Sequence, residues 1–377
     1  MGFLIAGRMR ELTITTVPEM LERFYSVEGR VIGVIGQLIV QIVITSLQYV
    51  AGGAILASML PEIFTFQSGM LATAIVFVGI ALIGGYWAAG LTNIINVLII
   101  YVGVVVGAIM AISQVGGMGQ LKASLPAGGP WFDPVAGVGM AMVVAWFVVM
   151  ITQAHSTQAV IQISFAAKNP AHARNGFILG GLIIFPVGFV CALLGVVAAA
   201  QHPGIVPTMA LPKAILELNP YVAGLVLAGL WAADVSTASG LLLGSSTLVV
   251  GDIWKRFIQP EMTEKQEVLV SRLTVLVLSV FTYILATTVV GILRTLLIGL
   301  TLTTAYTVII LFTLFAPKLC KRGAAFWTIL VGTLYLALWQ FVPAIRIVPH
   351  PIYLAWPICL ATFLLVAVID KRPAKID

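Results

Sequence analysis

The stretch Leu230-Trp231-Ala232-Ala233-Asp234-Val235-Ser236-Thr237-Ala238-Ser239-Gly240 lies within an apolar run, residues 221–253, whose only charged members are Asp234 and Asp252. About 20 apolar residues carry a helix across the hydrocarbon layer of a bilayer, so this run reads as a membrane span. An Asp near the middle of a span costs roughly 2.5–3.5 kcal/mol on insertion scales. Asp234 must therefore face protein or water, paired or protonated. At about 100° per residue, Ala233, Ser236 and Thr237 share one helix face, with Asp234 on its edge. Gly240 and Gly244 continue that face as a small-xxx-small pair that lets another backbone approach. Two readings of the face stand side by side. Its hydroxyls, nearby carbonyls and carboxylate make an oxygen-rich pocket for a hard cation such as Na⁺, or Ser236 and Thr237 bond back to carbonyls of their own helix.

The rest of the chain agrees with a membrane reading. Of 377 residues, 60% are hydrophobic and 9% charged, whereas a soluble domain carries about 25% charged residues. Soluble, collagen-like, disulfide-stapled and disordered classes are excluded. Apolar runs predict ten spans, near 30–59, 68–88, 93–115, 134–156, 175–200, 221–253, 269–290, 293–316, 323–343 and 350–369. The fold class is an all-α, polytopic membrane helix bundle. The three cysteines, Cys191, Cys320 and Cys359, lie far apart and predict neither a disulfide nor a metal site.

Charge gives the orientation. Sixteen of the twenty Lys and Arg residues, from Arg8 and Arg30 to Lys371 and Lys375, fall in one set of alternate connections. Lys122, Lys213, Arg294 and Arg346 fall in the other. Positive residues favour the cytoplasmic side, which predicts a multi-pass protein of the inner (plasma) membrane with its C-terminus cytoplasmic. The net charge of +6 thus reports on the lipid bilayer and not on a nucleic acid. No nucleotide loop, catalytic triad or zinc spacing occurs, so neither an enzyme nor a bound cofactor is expected.

Polar residues inside apolar runs mark the candidate path. Gln37, Gln41, Thr45 and Gln48 form a stripe on the first span, lining a path or bonding between helices. The fourth span ends in Thr152-Gln153-Ala154-His155-Ser156-Thr157-Gln158, which suggests a helix that loosens where transporters expose backbone to solute. His155 reads as an interfacial hydrogen-bonder. Thr301, Thr303, Thr304 and Thr307 lie along the eighth span. The candidate solute path is Gln41, Gln48, Gln153, Gln158 and Thr304. Elsewhere, Thr16-Val17-Pro18-Glu19 reads as a capping box opening a short helix whose Met20, Leu21, Phe24 and Tyr25 would lie against the membrane surface. Residues 116–133, rich in Gly and Pro, read as an ordered cap or a flexible hairpin. Asp252 is expected among Lys255, Arg256 and lipid headgroups.

Three stretches carry a family likeness: Thr16-Val17-Pro18-Glu19 with Glu22-Arg23-Phe24; Gln158 to Gln162 with Ala166-Ala167-Lys168; and Ala232-Ala233 through Ser236-Thr237 to Ser246-Thr247 and Asp252-Ile253. With them the chain resembles the sodium/solute symporters, which include bacterial proline and galactose carriers. The resemblance implies a LeuT-like core of two inverted five-helix repeats that moves small organic solutes by alternating access. It also implies a Na⁺ site on the Ala233 carbonyl and the Ser236 and Thr237 hydroxyls; the residue-level reading adds Asp234 to these cation-binding candidates. Measured against that pattern, Met1 falls where the second core helix is about to end, so the expected core lacks its first helix. The chain then divides into residues 1–29, a cytoplasmic stub and connecting helix; 30–316, the core helices; and 317–377, two additional spans. Thr92-Asn93-Ile94-Ile95-Asn96 stands where family members with a second cation site often have Thr-Asp-x-x-Gln, and Ile163 stands where Arg often follows the second Gln. Asp234 is an acid where an apolar residue is more usual.

The expected function is cation-coupled symport of a small organic solute, with Na⁺ as coupling ion and H⁺ as the other candidate. The alternatives are a non-transporting symporter-like module (a solute sensor or a partner subunit) and an inactive fragment. No particular protein partner is implied.

Overall fold

A computed structural model describes residues 1–83, 85–127, 129–289 and 291–376, with the backbone alone over 85–92. Thr92 therefore lies outside the described side chains. The helices run in chain order as α1 (Ala6–Glu11), α2 (Val17–Phe24), α3 (Val27–Met59), α4 (Phe66–Ile83), α5 (Gly85–Gln114), α6 (Gly117–Ser124), α7 (Met140–Ala154), α8 (Gln158–Ala166), α9 (Pro170–Gln201), α10 (Pro207–Leu216), α11 (Pro220–Thr247), α12 (Glu264–Ala286), α13 (Ile292–Thr301), α14 (Thr303–Phe315), α15 (Ala324–Phe341) and α16 (Ile352–Ile369). A π-helical segment, Leu248–Ile258, extends α11. Among the described residues the nearest thing to a sheet is a single bridge between Lys321 and Pro373.

Local chemistry starts the long helices. Ser26 Oγ accepts from Gly29 N at the head of α3. Asn169 caps α9 through His172 N at 2.8 Å, with Pro170 in the first turn. Thr263 and Gln266 form a complete capping box on α12. Each device satisfies amide groups that a helix start leaves without partners. Pro186 and Pro357 sit inside α9 and α16, as membrane helices tolerate.

Among the described residues eight helices are long and apolar enough to cross a membrane, and up to ten crossings result if α7 with α8 and α13 with α14 each count as one bent span. Each of those pairs bends by 41°. The fourth expected span is thus displaced: its helix starts at Met140 instead of 134, and continues past the break to Ala166. Lipid-facing surfaces are apolar, as on α9, where Leu182, Ile184 and Phe185 stand exposed.

The core is organised around α3, which packs against α2, α4, α11, α12, α13 and α15. Close backbone approach sets the α3–α4 contact: a Cβ on Gly69 would lie 2.9 Å from Gly53 O. On the opposite side Tyr306, fully buried on α14, donates its hydroxyl to Gly33 O at 2.8 Å.

Two local expectations, for the α2 face and for Gly240, are corrected, and one connection takes a helical start. Met20, Leu21, Phe24 and Tyr25 are buried in the protein core with Tyr306, Ile309 and Ala325, not spread on the membrane surface. An amphipathic face signals only that something apolar covers it, and here α3 and α14 do. Residues 116–133 begin with α6, entered through Gly116 and Gly117 at φ +91° and +89°. A Cβ on Gly240 would meet nothing within 4 Å, so no described backbone uses the small-residue face there.

The capping box at Thr16 is half formed. Thr16 Oγ1 accepts from Glu19 N at 3.1 Å, but the Glu19 carboxylate turns one residue back, to Thr15 N and Oγ1 at 2.8 Å each.

Candidate functional site

The two bent spans break at the same place in the bundle and are bonded to each other there. Ser156 Oγ, in the gap between α7 and α8, donates to Thr303 O at 3.0 Å across the gap between α13 and α14. Thr307 Oγ1 lies 2.8 Å from both Thr152 O and Ser156 Oγ. Thr301, Thr303 and Thr304 each bond a carbonyl of their own turn, at 2.9, 2.6 and 2.7 Å. Hydroxyls thus take up carbonyls around the second bend.

The first break exposes peptide groups that the hydrocarbon layer cannot satisfy. Gln37 of α3 holds two of them with one amide. Its Nε2 donates to Ser156 O at 2.8 Å and its Oε1 accepts from Gln158 N at 3.0 Å. Gln158 passes the connection on: its Oε1 accepts from Val17 N at 2.8 Å, and its Nε2 donates to Thr15 O at 3.4 Å. Gln37, Gln158, Ser156 and Thr303 are all buried. The chain of bonds ties the break to the start of α2.

One turn along α3 from Gln37, Gln41 is fully buried, and neither Nε2 nor Oε1 has a hydrogen-bond partner among the described residues. Leaving a buried amide unbonded costs about 1–3 kcal/mol. Beyond it, Thr45 bonds Gln41 O at 2.8 Å and Gln48 Nε2 lies 3.3 Å from Ile44 O. Gln153 Oε1 accepts from Thr157 Oγ1 at 3.3 Å. His155 is half-buried and lies 3.1 Å from the Met1 amino group. Of the sequence-chosen path residues, Gln158 and Thr304 sit at the two bends, Gln153 on the last turn of α7, Gln41 one turn along α3 from Gln37, and Gln48 further along α3. Gln37 was seen only as one member of a stripe; its spacing of one turn from Gln41 was the available signal.

On α11, Ser236 Oγ and Thr237 Oγ1 both donate to Ala233 O, at 2.9 Å each. The second sequence reading, bonding within the helix, is therefore present. A hydroxyl that donates keeps its acceptor lone pairs, so three oxygens remain gathered on this face. Ser236 is buried and Thr237 exposed. Asp234 is buried and turned towards α3 and α4: a Cβ on Gly52 would lie 2.8 Å from Asp234 Oδ2 and 2.7 Å from Thr73 Oγ1. Trp231 Nε1 donates to Thr73 Oγ1 at 3.0 Å in the same niche, while Asp234 Oδ2 has no partner among the described residues. Neither the Ser236 nor the Thr237 hydroxyl bonds the carboxylate. Gly52 is thus the residue that leaves room for an acid here.

At the end of the bundle rich in basic residues, a buried latch joins α2, α3 and the π-helical segment. Arg30 reaches Asp252 Oδ1 at 2.8 Å from Nε and 2.6 Å from a terminal nitrogen, and Glu22 at 2.5 Å. Arg256 grips Glu22 at 2.6 and 3.0 Å, and Thr16 Oγ1 donates to Asp252 Oδ1 at 3.0 Å. The hydrogen bond from Arg256, with Arg30 adding to it, holds the Glu22 carboxyl below the usual carboxylate range. Asp252 is only 1% exposed, so it meets Arg30 of α3 instead of headgroups. A partner 222 residues away leaves no local trace in sequence.

A family model described as "SSF: Sodium:solute symporter family" matches residues 1–332. The high-affinity proline transporter PutP of Bacillus subtilis (strain 168) is 24% identical over 357 residues, covering 89% of this chain and 74% of that protein. The sodium/proline symporter of Escherichia coli (strain K12) is 22% identical, covering 89% and 70%. Sodium/glucose cotransporter 4 of Danio rerio is 31% identical over 201 residues, and the match spans 46% of this chain and 30% of that protein. Among solved structures, the substrate-bound outward-open state of a Na⁺-coupled sialic acid symporter superposes with a TM-score of 0.77 at 19% identity, covering 99% of this chain and 81% of that one. The closed, bromovinylhydantoin-bound state of MHP1, a nucleobase-cation-symport-1 family transporter, gives 0.56 at 15% identity. At such identities the likeness speaks to the fold, which is the all-helical LeuT-like one.

Proposed function

The chain belongs to the sodium:solute symporter family, and on that footing we propose that it moves a small organic solute across the membrane by Na⁺-coupled alternating access. The family and its structural neighbours are transporters, not enzymes. The observation that carries the reading is the bonding of the two bent spans to each other through Ser156, Thr303 and Thr307, beside the unpartnered amide of Gln41. Broken helices expose backbone donors and acceptors to solute at mid-bundle. Bends of this kind also let one part of a bundle rock against another.

The solute contacts Gln41, Gln48, Gln153 and Thr304, with Gln158 setting the shape of the break. These are amides and hydroxyls with no charged side chain among them, which suits a neutral or zwitterionic solute. Proline, named for the Bacillus and Escherichia relatives, is the first to try. Na⁺ binds at the Ala233 carbonyl and the Ser236 and Thr237 hydroxyls, with the acceptor lone pairs of the two hydroxyls as the support for this assignment. Asp234 sits in a niche of its own and takes up a proton rather than sharing the Na⁺. The basic end of the bundle, with the latch and the C-terminus, is cytoplasmic by the distribution of Lys and Arg, in the plasma membrane.

The test is uptake of radiolabelled proline and glucose into proteoliposomes under imposed Na⁺ and pH gradients. Accumulation driven by inward Na⁺ is expected. Uptake that ignores both gradients overturns the reading.

A further inference from the structure

At the end of the bundle opposite the latch, a cavity of about 450 Å³ opens between α7, α13 and the connection from α15 to α16. Its polar side chains are Trp146, Arg294, Trp339, Arg346 and His350, and among the described residues no Asp or Glu lines it. The rest of its wall is apolar, built from residues such as Leu297 and Ile298.

Every polar side chain there carries a donor. His350 is 4% exposed, and its Nδ1 accepts from Ile352 N at 3.2 Å. That bond places the ring proton on Nε2, which has no partner among the described residues. Burial holds the imidazole neutral, with its pKa pushed down to about 4, so the donor is an uncharged N–H. The Trp146 indole Nε1, a donor only, is also buried and unpartnered. Arg346 spends two nitrogens on the Trp339 and Gln340 carbonyls at the end of α15. Among the described residues no acid lies within salt-bridge distance of Arg294 or Arg346. Leu293 and Arg294 also belong to the first turn of α13, where the helix dipole is positive.

Two buried orphan donors, two cations without counter-ions and an apolar wall describe one kind of ligand. We propose that this cavity binds an amphipathic anion, a carboxylate or phosphate carried on an apolar group, with the anionic oxygens at His350 Nε2 and Trp146 Nε1. Arg294 supplies the charge that such oxygens require. The site is separate from the bends, and its occupancy requires no transport.

Titration calorimetry on the detergent-purified chain, with hexanoate and hexan-1-ol as probes, tests this directly. Hexanoate is expected to bind about tenfold tighter than hexan-1-ol, a ratio that corresponds to about 1.4 kcal/mol. Arg294→Gln, at an exposed position, and Trp146→Phe, which deletes only the N–H, should each abolish most of that preference. Arg294→Gln decides the matter alone if Trp146→Phe does not fold. Equal binding of the two probes, or wild-type hexanoate affinity in a folded Arg294→Gln, overturns the proposal. Repeating the titration in phosphatidylglycerol and phosphatidylcholine nanodiscs separates the sources. Loss of hexanoate binding in phosphatidylglycerol alone supports the site as a lipid-headgroup site, and retention in both supports a soluble anion.

Discussion

Thr307 and Ser156 share a hydroxyl hydrogen bond of 2.8 Å that joins the two bent crossings where each is weakest. Thr307→Val keeps the shape and removes the bond, along with the 2.8 Å approach of Oγ1 to Thr152 O. It should lower stability by about 1 kcal/mol and slow uptake, while Thr307→Ser restores both. Thermal unfolding and initial uptake rates check this. Equal rates for Val and Ser would show that the bond has no part in movement.

Gln37 holds Ser156 O and Gln158 N with a single amide. Gln37→Leu leaves both peptide groups buried and unbonded, at about 1–3 kcal/mol each. The expected outcome is a lower melting temperature and near-complete loss of uptake. Normal uptake in Gln37→Leu would mean that the break satisfies itself in another way.

Thr237→Ala removes one oxygen from the proposed Na⁺ site at an exposed position. The Na⁺ concentration for half-maximal uptake should rise about tenfold, as loss of ~1.4 kcal/mol of binding implies, with expression unchanged. Thr237→Ser should stay close to wild type. An unaltered Na⁺ response takes Thr237 out of the site.

Asp234→Asn preserves the shape beside Gly52 but cannot titrate. If the proposed proton uptake at Asp234 contributes to transport, the variant should flatten the pH dependence of uptake while keeping the response to Na⁺. A wild-type pH profile leaves the carboxylate with a packing role only.

Arg30 is the centre of the latch, and Arg30→Ala strands Asp252 as a buried charge, at about 3–5 kcal/mol. The Glu22 member also has a pH signature. Its pKa is lowered in the folded chain from 4.5, so its contribution is fully present above that value. It is lost as pH falls through the lower folded pKa. Melting temperature should therefore drop on acidification below about pH 4.5, and Glu22→Gln should make that drop shallower. A drop of the same size in the variant assigns it to other groups.

Apolar length and the asymmetry of Lys and Arg made the helical spans legible, because both are read one residue at a time. The break after Ala154 was legible too, since seven consecutive residues from Thr152 hold five with polar side chains besides His155. The bend at Leu302 was not. No Gly or Pro marks it, and the threonines that support it look like any polar face. Met20 and Phe24 were placed on the membrane because a helix pattern records an apolar neighbour without saying whether it is lipid or Tyr306. Asp234 was assigned to the Ser236 face for a related reason: angular position on α11 says nothing of Gly52, which opens the niche on α3. The pairing of Arg30 with Asp252 depended wholly on the fold.

Residues 374 and 375 behave as a seam. Ala374 N donates to Cys320 O at 3.1 Å and Lys375 N to Phe24 O at 2.7 Å, so the tail is sewn to α2, which in turn touches Gln158. A purification handle grafted directly after this seam would tug on the segment that braces the bend, whereas a flexible spacer would leave it slack.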